Sequence, residues 1–346
     1  MTRSAARSSR RASRVARAAR LPITCALAWG LAGCSAPGQS AEPLTASERE
    51  AIIESVVPAE PFHPDLQLCQ NQAGPRRDAR GEVYETDATG VSIEAPGCIL
   101  GPKVIGTFSR DLGWHDVKKQ HDGDGVRWSR PEPGLVHVLG AYFDNIEDAL
   151  GPPKSPDTTR ESTWRVEHSY ARYTRDDFVE NDACLDGTIH DVLVDGSHVF
   201  ISARPGRGNQ AEMAQYAATH TVSNTLVRLD CQPDPRTDTQ TSCPVGQSTG
   251  MLFKWSDCGG VVNMRDSIIL VEGRPRKGTS PMDFPPGHYE NVWLIYTGPE
   301  DAYPGRLPAE GVTEVDDLEL WHEARRRWLE RHGCDPNGDH CTMLDP

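Results

Sequence analysis

Trp164 to Tyr170 reads WRVEHSY, and this stretch decides the class of fold. Its first, third, fifth and seventh residues are Trp, Val, His and Tyr, and charged or hydroxyl residues stand between them. Successive side chains of a β-strand point to opposite faces, so this period of two indicates a half-buried strand. We therefore expect a chain built mainly from β-strands.

Short apolar segments separated by Pro- and Gly-rich loops continue this pattern along the chain. Further strands are predicted at Leu135–Phe143, Asp191–Val194, Ser197–Ser202, Thr225–Leu229, Met251–Trp255, Ser267–Glu272 and Val292–Tyr296. Asp195-Gly196 lies between two of these segments, and Asp-Gly between apolar runs is typical of a two-residue hairpin turn. The sequence thus predicts antiparallel pairing over residues 191–202.

Helical patterns occur near both ends of the domain. Ser47–Glu50 has the pattern of a capping box before a short apolar helix that Pro58 ends. Apolar residues repeat at helical spacing again between Leu318 and Gly333. These patterns predict a mainly β, or β-dominated α+β, fold with short peripheral helices near both ends. The sheets are expected to be antiparallel, in a propeller-like or sandwich-like arrangement.

Residues 1–33 have the features of an export signal. Seven arginines and no acidic residue occupy the first twenty positions, and a short apolar run follows. The run ends in Leu31-Ala32-Gly33-Cys34, which resembles the lipobox of bacterial lipoproteins. The resemblance implies cleavage before Cys34 and acyl chains on its sulfur, which would hold the mature chain to a bilayer of the cell envelope. An ordinary secretory signal or a single anchor helix is the alternative.

The remainder of the chain divides into a tether and a domain. Residues 34–46 are rich in Pro, Gly and Ser and predict a flexible tether. Residues 47–346 are expected to form one disulfide-braced, β-rich extracytoplasmic domain. The segment GPPKSPDTT at 151–159 is a possible boundary between two lobes.

The charge of the mature chain excludes one class of partner. Without the seven arginines of the leader, 29 basic residues face 50 acidic ones, a formal net charge of −21. Such a surface repels nucleic acid and anionic headgroups. We expect no nucleic-acid partner, and we expect the acyl chains rather than a basic patch to provide membrane attachment.

Eight cysteines remain once Cys25 of the leader and the lipidated Cys34 are set aside. They are Cys69, Cys98, Cys184, Cys231, Cys243, Cys258, Cys334 and Cys341. An even number in an exported chain predicts disulfide bonds, although eight cysteines allow about 105 pairings. Local closure favours Cys334–Cys341 and Cys231–Cys243, Cys69–Cys98 is plausible, and Cys184 and Cys258 then remain as the fourth pair.

Two motifs are near-matches to known sites. Gly246–Gly250 fits G-x-S-x-G, in which Ser248 would be a nucleophile, but a strand rather than a helix is expected to follow. Gly206–Ala211 has part of a dinucleotide fingerprint, without further βαβ units. A loop is the favoured interpretation of the first, and a Gly turn that opens a short helix that of the second. No cofactor is predicted from these motifs.

Histidine and aspartate occur together at His115-Asp116, His121-Asp122 and His190-Asp191, with Asp124 near the second pair. Such groups can bind a divalent metal or act as acid and base. None of the spacings is diagnostic, so a divalent metal is possible but its ligands are unknown.

One local pattern suggests glycans. Ser109–Trp114 is similar to the opening of the Asp-box of sialidase-like β-propellers, and Asp122–Trp128 resembles the D-G-x-x-W turns of glycan-acting propellers. In those folds the Asp braces a turn and the Trp packs between strands, so the resemblance implies a fold and not a catalytic residue.

Three functions follow from these features. The first is a membrane-anchored extracytoplasmic lipoprotein that binds a cell-surface ligand, such as a glycan. The second is an extracytoplasmic glycan hydrolase with Asp111, Asp116 and Asp191 as candidate catalytic carboxylates. The third is a structural envelope protein. Paired carboxylates would favour the hydrolase, an aromatic platform would favour binding, and a convex surface with neither would favour the structural role.

Overall fold

Parallel strand pairing organises the domain. The computed structural model describes residues 43–63, 65–69, 74–120, 123–130, 132–153, 161–205, 216–233, 243–244, 246–255, 258, 260–273, 284–298, 309–342 and 345. These residues belong to one compact unit, Ser40–Pro346. The leader, Cys34 and most of the tether lie outside the described residues.

The strands form three stacked columns, which we call the first, second and third faces. The first face contains β1 (Arg76–Asp78), β4 (Gly97–Leu100), β7 (Gly134–Leu139), β10 (Ser162–Glu167), β12 (Asp186–His190) and the first halves of β14 (Thr219–Leu229), β18 (Val261–Val271) and β19 (Gly287–Tyr296). The second face contains β2 (Val83–Thr86), β5 (Lys103–Gly106), β8 (Tyr142–Ile146), the first halves of β11 (Tyr170–Glu180) and β13 (Leu193–Ala203), the second halves of β14, β18 and β19, and β20 (Val312–Val315).

The third face completes each turn of the chain, which we call a coil. It contains β3 (Val91–Ile93), β6 (Asp124–Trp128), β9 (Asp148–Gly151), the second halves of β11 and β13, and β17 (Met251–Trp255). Because the chain visits the faces in order and each strand pairs with the equivalent strand of the next coil, the domain is a parallel β-helix, a solenoid. One short antiparallel pair, β15 (Gln232–Pro233) and β16 (Gln247–Ser248), lies outside the columns.

The β-rich class is confirmed, whereas the expected antiparallel sheets are wrong. Sandwich sheets and propeller blades are antiparallel, so the parallel columns also exclude those two arrangements for the described strands. Asp195-Gly196 does not close a hairpin: it lies within β13, where Gly196 has a φ of 106° and the strand passes from the second face to the third. A solenoid corner and a hairpin turn both need a residue that tolerates positive φ.

The corner between the first and second faces repeats one backbone conformation. Gly101, Gly140, His168, Asp191, Asn224, Asp266 and Asn291 all have φ between 48° and 66°. Each follows a first-face strand and precedes a second-face strand. This left-handed conformation favours Gly and Asn or Asp, so the corner selects those residue types in coil after coil.

Two helices cover the outer side of the second face. They are α1 (Ala46–Val56) and α3 (Leu318–Arg331), and a third helix, α2 (Trp114–Gln120), connects β5 to β6. Buried residues of α1 and α3 pack with outward-facing residues of the second face, including Tyr170 and Leu226. The predicted terminal helices are thus present. Their N-caps are Thr45, which forms a capping box with Glu48, and Asp317. The capping box predicted at Ser47–Glu50 is wrong by two residues, because Ser47 lies inside α1.

The eight cysteines from Cys69 to Cys341 are all in disulfide bonds. The pairs are Cys69–Cys98, Cys184–Cys258, Cys231–Cys243 and Cys334–Cys341. They include the two pairs that local closure favoured, the plausible third pair and the pair that then remained. Four disulfides are typical of an oxidising, extracytoplasmic compartment. Among the described residues, no helix is both long and apolar enough to cross a bilayer.

The possible lobe boundary at 151–159 is spanned by strand pairs, since strands that follow it in the chain pair with strands that precede it. β10 pairs with β7 and β11 pairs with β9, and residues 154–160 lie outside the described residues.

Candidate functional site: a buried carboxylate cluster

Six carboxylates meet where the second face turns into the third. We call this the acidic corner, and its members are Asp124, Glu147, Asp148, Asp176, Asp177 and Glu180. None is more than 5% exposed. Burial of this many charged groups is costly unless cations or hydrogen bonds compensate for it.

The corner geometry directs these carboxylates outward. In β9, β11, β13 and β17, two consecutive apolar residues belong to the core, for example Phe178 and Val179 of β11. The strict alternation of a strand is therefore interrupted at the corner. The residues on either side of the apolar pair, Asp177 and Glu180, face away from the core. Asp148 and Gly151 flank the equivalent pair of β9.

Two lysines compensate part of the charge. Lys254 Nζ lies 3.1 Å from Asp177 and 3.8 Å from Asp176. Lys118 of α2 lies 3.3 Å from Asp176 and 4.0 Å from Glu180, and 39% of its side chain is exposed. Burial alone lowers the pKa of both lysines, but the neighbouring carboxylates raise each pKa above its ordinary value. Both lysines are thus charged.

Two of the aspartates are harder to ionise than an exposed aspartate. Burial raises the pKa of Asp148, and repulsion from Glu180 and Asp176 raises it further. Burial also raises the pKa of Asp177, followed by repulsion from Asp176, against the opposing effect of Lys254. These directions follow from desolvation and like charge. Oxygen atoms of Asp148, Asp176 and Asp177 lie within 4.8 Å of one another, as do those of Asp124, Asp148 and Glu180.

Sequence reasoning singled out only Asp124 of this cluster, as a neighbour of a His-Asp pair. A signal for the others existed: Glu147-Asp148 and Asp176-Asp177 each precede two apolar residues. The same arrangement in successive coils stacks these acids, but recognising it requires the coil alignment.

The sequence-predicted catalytic residues lie elsewhere. Asp111 is exposed in a turn, and its backbone N–H donates to Ser109 Oγ. Asp116 is half-buried in the first turn of α2. Asp191 is fully buried beneath α3. None of these three belongs to the acidic corner.

Asp191 is the anchor of α3. Its carboxylate accepts hydrogen bonds from Trp328 Nε1 at 3.0 Å and His168 Nδ1 at 2.5 Å, and it pairs with Arg331. His332 Nε2 lies 3.2 Å away. Burial alone raises the pKa of Asp191, but the hydrogen bonds from His168 and His332 hold it well below its ordinary value. Asp191 is therefore an ionised structural residue.

The first motif near-match, Gly246–Gly250, does not form a nucleophile elbow. Ser248 is buried in β16 of the antiparallel pair, and β17 follows it instead of the helix that a nucleophile elbow needs. Most of Gly206–Ala211 and its expected helix, together with His121 and Asp122, lies outside the described residues. The His115 side chain does so as well.

Known proteins offer no guide to this site. No protein-family model matches the chain, and no curated protein or solved structure is significantly similar to it. The function must be inferred from the geometry.

Replacement of Asp191 by Ala tests its structural role. The change leaves Arg331 buried beside an apolar side chain, so we expect the free energy of unfolding at pH 7 to fall by about 3–5 kcal/mol. Because the pKa of Asp191 is lowered on folding, this stabilisation is present above about pH 4 and is lost as the pH falls toward the folded-state pKa. Denaturant titration measures the change. Asp111→Ala, at an exposed site, is the control and should stay within about 0.5 kcal/mol of the wild type.

Asp230 tests the opposite case, a carboxyl group whose pKa is raised on folding. Burial raises the pKa of Asp230 to about 6, and its Oδ1 accepts a hydrogen bond from Gln232 Nε2 at 2.8 Å. Ionisation therefore costs the folded state stability as the pH rises from about 4 through 6. We expect Asp230→Asn to gain about 3 kcal/mol relative to the wild type between pH 4 and pH 8. If the difference in free energy of unfolding between the two proteins does not change with pH, the pKa of Asp230 is not raised on folding.

Proposed function

We propose that the chain is a membrane-tethered, extracytoplasmic glycan hydrolase that uses carboxyl groups of the acidic corner. The observation that carries the proposal is the 4.8 Å grouping of oxygen atoms from Asp148, Asp176 and Asp177 beside Lys254. Glycosidases cleave with one carboxyl group as acid and a second as nucleophile or base. Asp176 and Asp177 are the pair we assign to these roles.

Charge distinguishes the two roles. Asp176 has lysine nitrogens at 3.3 and 3.8 Å from two sides, which favours its carboxylate as the nucleophile. Asp177 is wholly buried and interacts with one lysine, which favours it as the proton donor. The reaction then transfers the Asp177 proton to the leaving oxygen as Asp176 bonds to the anomeric carbon. Water next cleaves this ester and returns the proton to Asp177.

Two further features bear on the proposal. The exposed side chains favour a hydrolase over a binding module, and the net charge limits the kind of glycan that the protein would cleave. Of the described side chains, the exposed large hydrophobic ones are Leu68, Val83 and Leu318, and none is aromatic. An aromatic platform for a glycan is thus missing from that part of the chain. The charge of −21 on the mature chain favours an uncharged or positively charged glycan over an anionic one.

The test is the appearance of new reducing ends when the full chain, purified in detergent, is incubated with neutral and amino-sugar polysaccharides. We expect Asp176→Asn and Asp177→Asn each to reduce the rate by at least about 100-fold. One carboxylate oxygen from each residue lies within 4.8 Å of the other, closer than the roughly 6.5–9.5 Å that separates the carboxyl groups of inverting enzymes, so the product should keep its anomeric configuration.

The matched control for this test is Asp111→Asn, the same chemical change at an exposed site, which should keep wild-type activity. The proposal is wrong if the wild type cleaves none of these glycans, or if both corner variants cleave as fast as the control.

The tether is tested separately. Cys34→Ala removes the sulfur that would carry the acyl chains, so we expect the variant to leave the membrane fraction while the wild type stays in it. Fractionation followed by immunodetection measures the distribution. A variant that still sediments with membranes would overturn lipid anchoring through Cys34.

A further inference from the structure

A second group within the acidic corner has the composition of a cation site. Asp124, Asp148 and Glu180 come from three successive coils of the third face, and each is at most 5% exposed. One carboxylate oxygen from each lies within 4.8 Å of the others. Calcium ligands lie 2.3–2.6 Å from the ion, so two oxygens on one ion can be up to about 5 Å apart.

A glycine provides the space for this group. A Cβ atom at Gly151 would lie 2.8 Å from both carboxylate oxygens of Asp124. The φ of Gly151 is not in the left-handed region, so the backbone conformation does not require glycine there. Gly151 thus lets the Asp124 carboxylate lie across β9 toward Glu180, its register neighbour in β11.

Two cations lie beside the group. Arg127 Nη1 lies 2.5 Å from Asp124, and Lys118 Nζ lies 4.0 Å from Glu180. Lys254 pairs with Asp176 and Asp177 instead. Buried charges in proteins are paired or bind metals.

Ser202 gives an independent indication of a ligand. It is 1% exposed, and among the described residues its Oγ has no hydrogen-bond partner. Ser202 pairs in register with Glu180 on one side and Lys254 on the other. Side chains in register on parallel strands lie about 5 Å apart on the same face. Its hydroxyl oxygen therefore lies beside Glu180 and offers the group a fourth oxygen.

We propose that Asp124, Asp148, Glu180 and Ser202 bind one divalent cation of the calcium class. All four ligands are oxygen atoms, and neither His nor Cys is among them, which favours a hard cation over zinc or copper. Magnesium prefers near-ideal octahedral geometry and retains several waters, so this buried, irregular set favours calcium. The site shares Asp148 with the group described for the hydrolase but uses neither of the residues assigned to cleavage, Asp176 and Asp177, so the cation can be tested apart from the activity.

The test uses the full chain in detergent, stripped with a chelator and titrated with CaCl₂ in a calorimeter. We expect one Ca²⁺ per chain, and weaker binding of Mg²⁺. Asp124→Asn and Glu180→Gln should each weaken Ca²⁺ binding at least about tenfold. Gly151→Ala should weaken it too, since the new methyl group displaces the Asp124 carboxylate. Asp111→Asn should bind as the wild type does.

Thermal unfolding separates a cation site from a structural network that these substitutions damage. Without Ca²⁺, Asp124→Asn loses its pair with Arg127 as well as like-charge repulsion, so its melting temperature in the chelator is the baseline for this variant. Ca²⁺ should raise the melting temperature of the wild type and should raise that of the variant much less, because the wild type binds the ion more tightly. The proposal is overturned if the wild type binds no stoichiometric Ca²⁺, if both variants bind as it does, or if Ca²⁺ raises the melting temperatures of wild type and variants equally.

The outcome also separates the two proposals. Calcium binding without glycan cleavage supports this site and removes only the hydrolase. Normal calcium binding by Asp176→Asn, with loss of cleavage, supports both.

Discussion

The parallel hydrogen-bond ladder between coils is the constraint on which the rest of this structure depends. Each strand satisfies its backbone groups on the coils before and after it, so every coil must turn at the same place. The column of left-handed residues from Gly101 to Asn291 meets this requirement at the first corner. Where the residue is polar, its side chain gains a second role. Asp191 holds α3, and Asn224 Nδ2 donates to the carbonyl of Val56 in α1 at 3.0 Å. One backbone requirement thus fixes both the shape of the solenoid and the position of its helices.

The same alignment of coils creates the acidic corner. Asp124, Asp148 and Asp177 occupy equivalent positions in successive coils of the third face. Stacking like charges about 5 Å apart is unfavourable, and the chain tolerates it here with Lys118 and Lys254 on either side. Perturbed carboxyl groups of this kind are concentrated at functional sites, which is why the corner, and not Asp111 or Asp116, carries both proposals.

Local pattern predicted strands well and their partners poorly. Met251–Trp255 matches β17, and Val292–Tyr296 is the second half of β19. Alternation reports which side of a strand is buried, whereas pairing direction depends on residues far away in sequence. The Asp195-Gly196 prediction failed because a corner and a hairpin demand the same residue types. The coil repeat was invisible because loops of different length separate the corner residues. The acidic corner was missed for the same reason, since its acids become neighbours only after the coils are aligned.

The pairing of α1 with α3 also has a mechanical consequence. Arg327 binds Glu50 through two hydrogen bonds of 2.9 and 2.7 Å, and Arg49 Nε lies 3.0 Å from the Asp317 carboxylate. The first and last helices of the domain are therefore clamped to each other as well as to the second face. A pull on the chain at Leu44 is borne in parallel by this clamp and by several coils at once. The domain therefore resists being unwound coil by coil from its amino-terminal end.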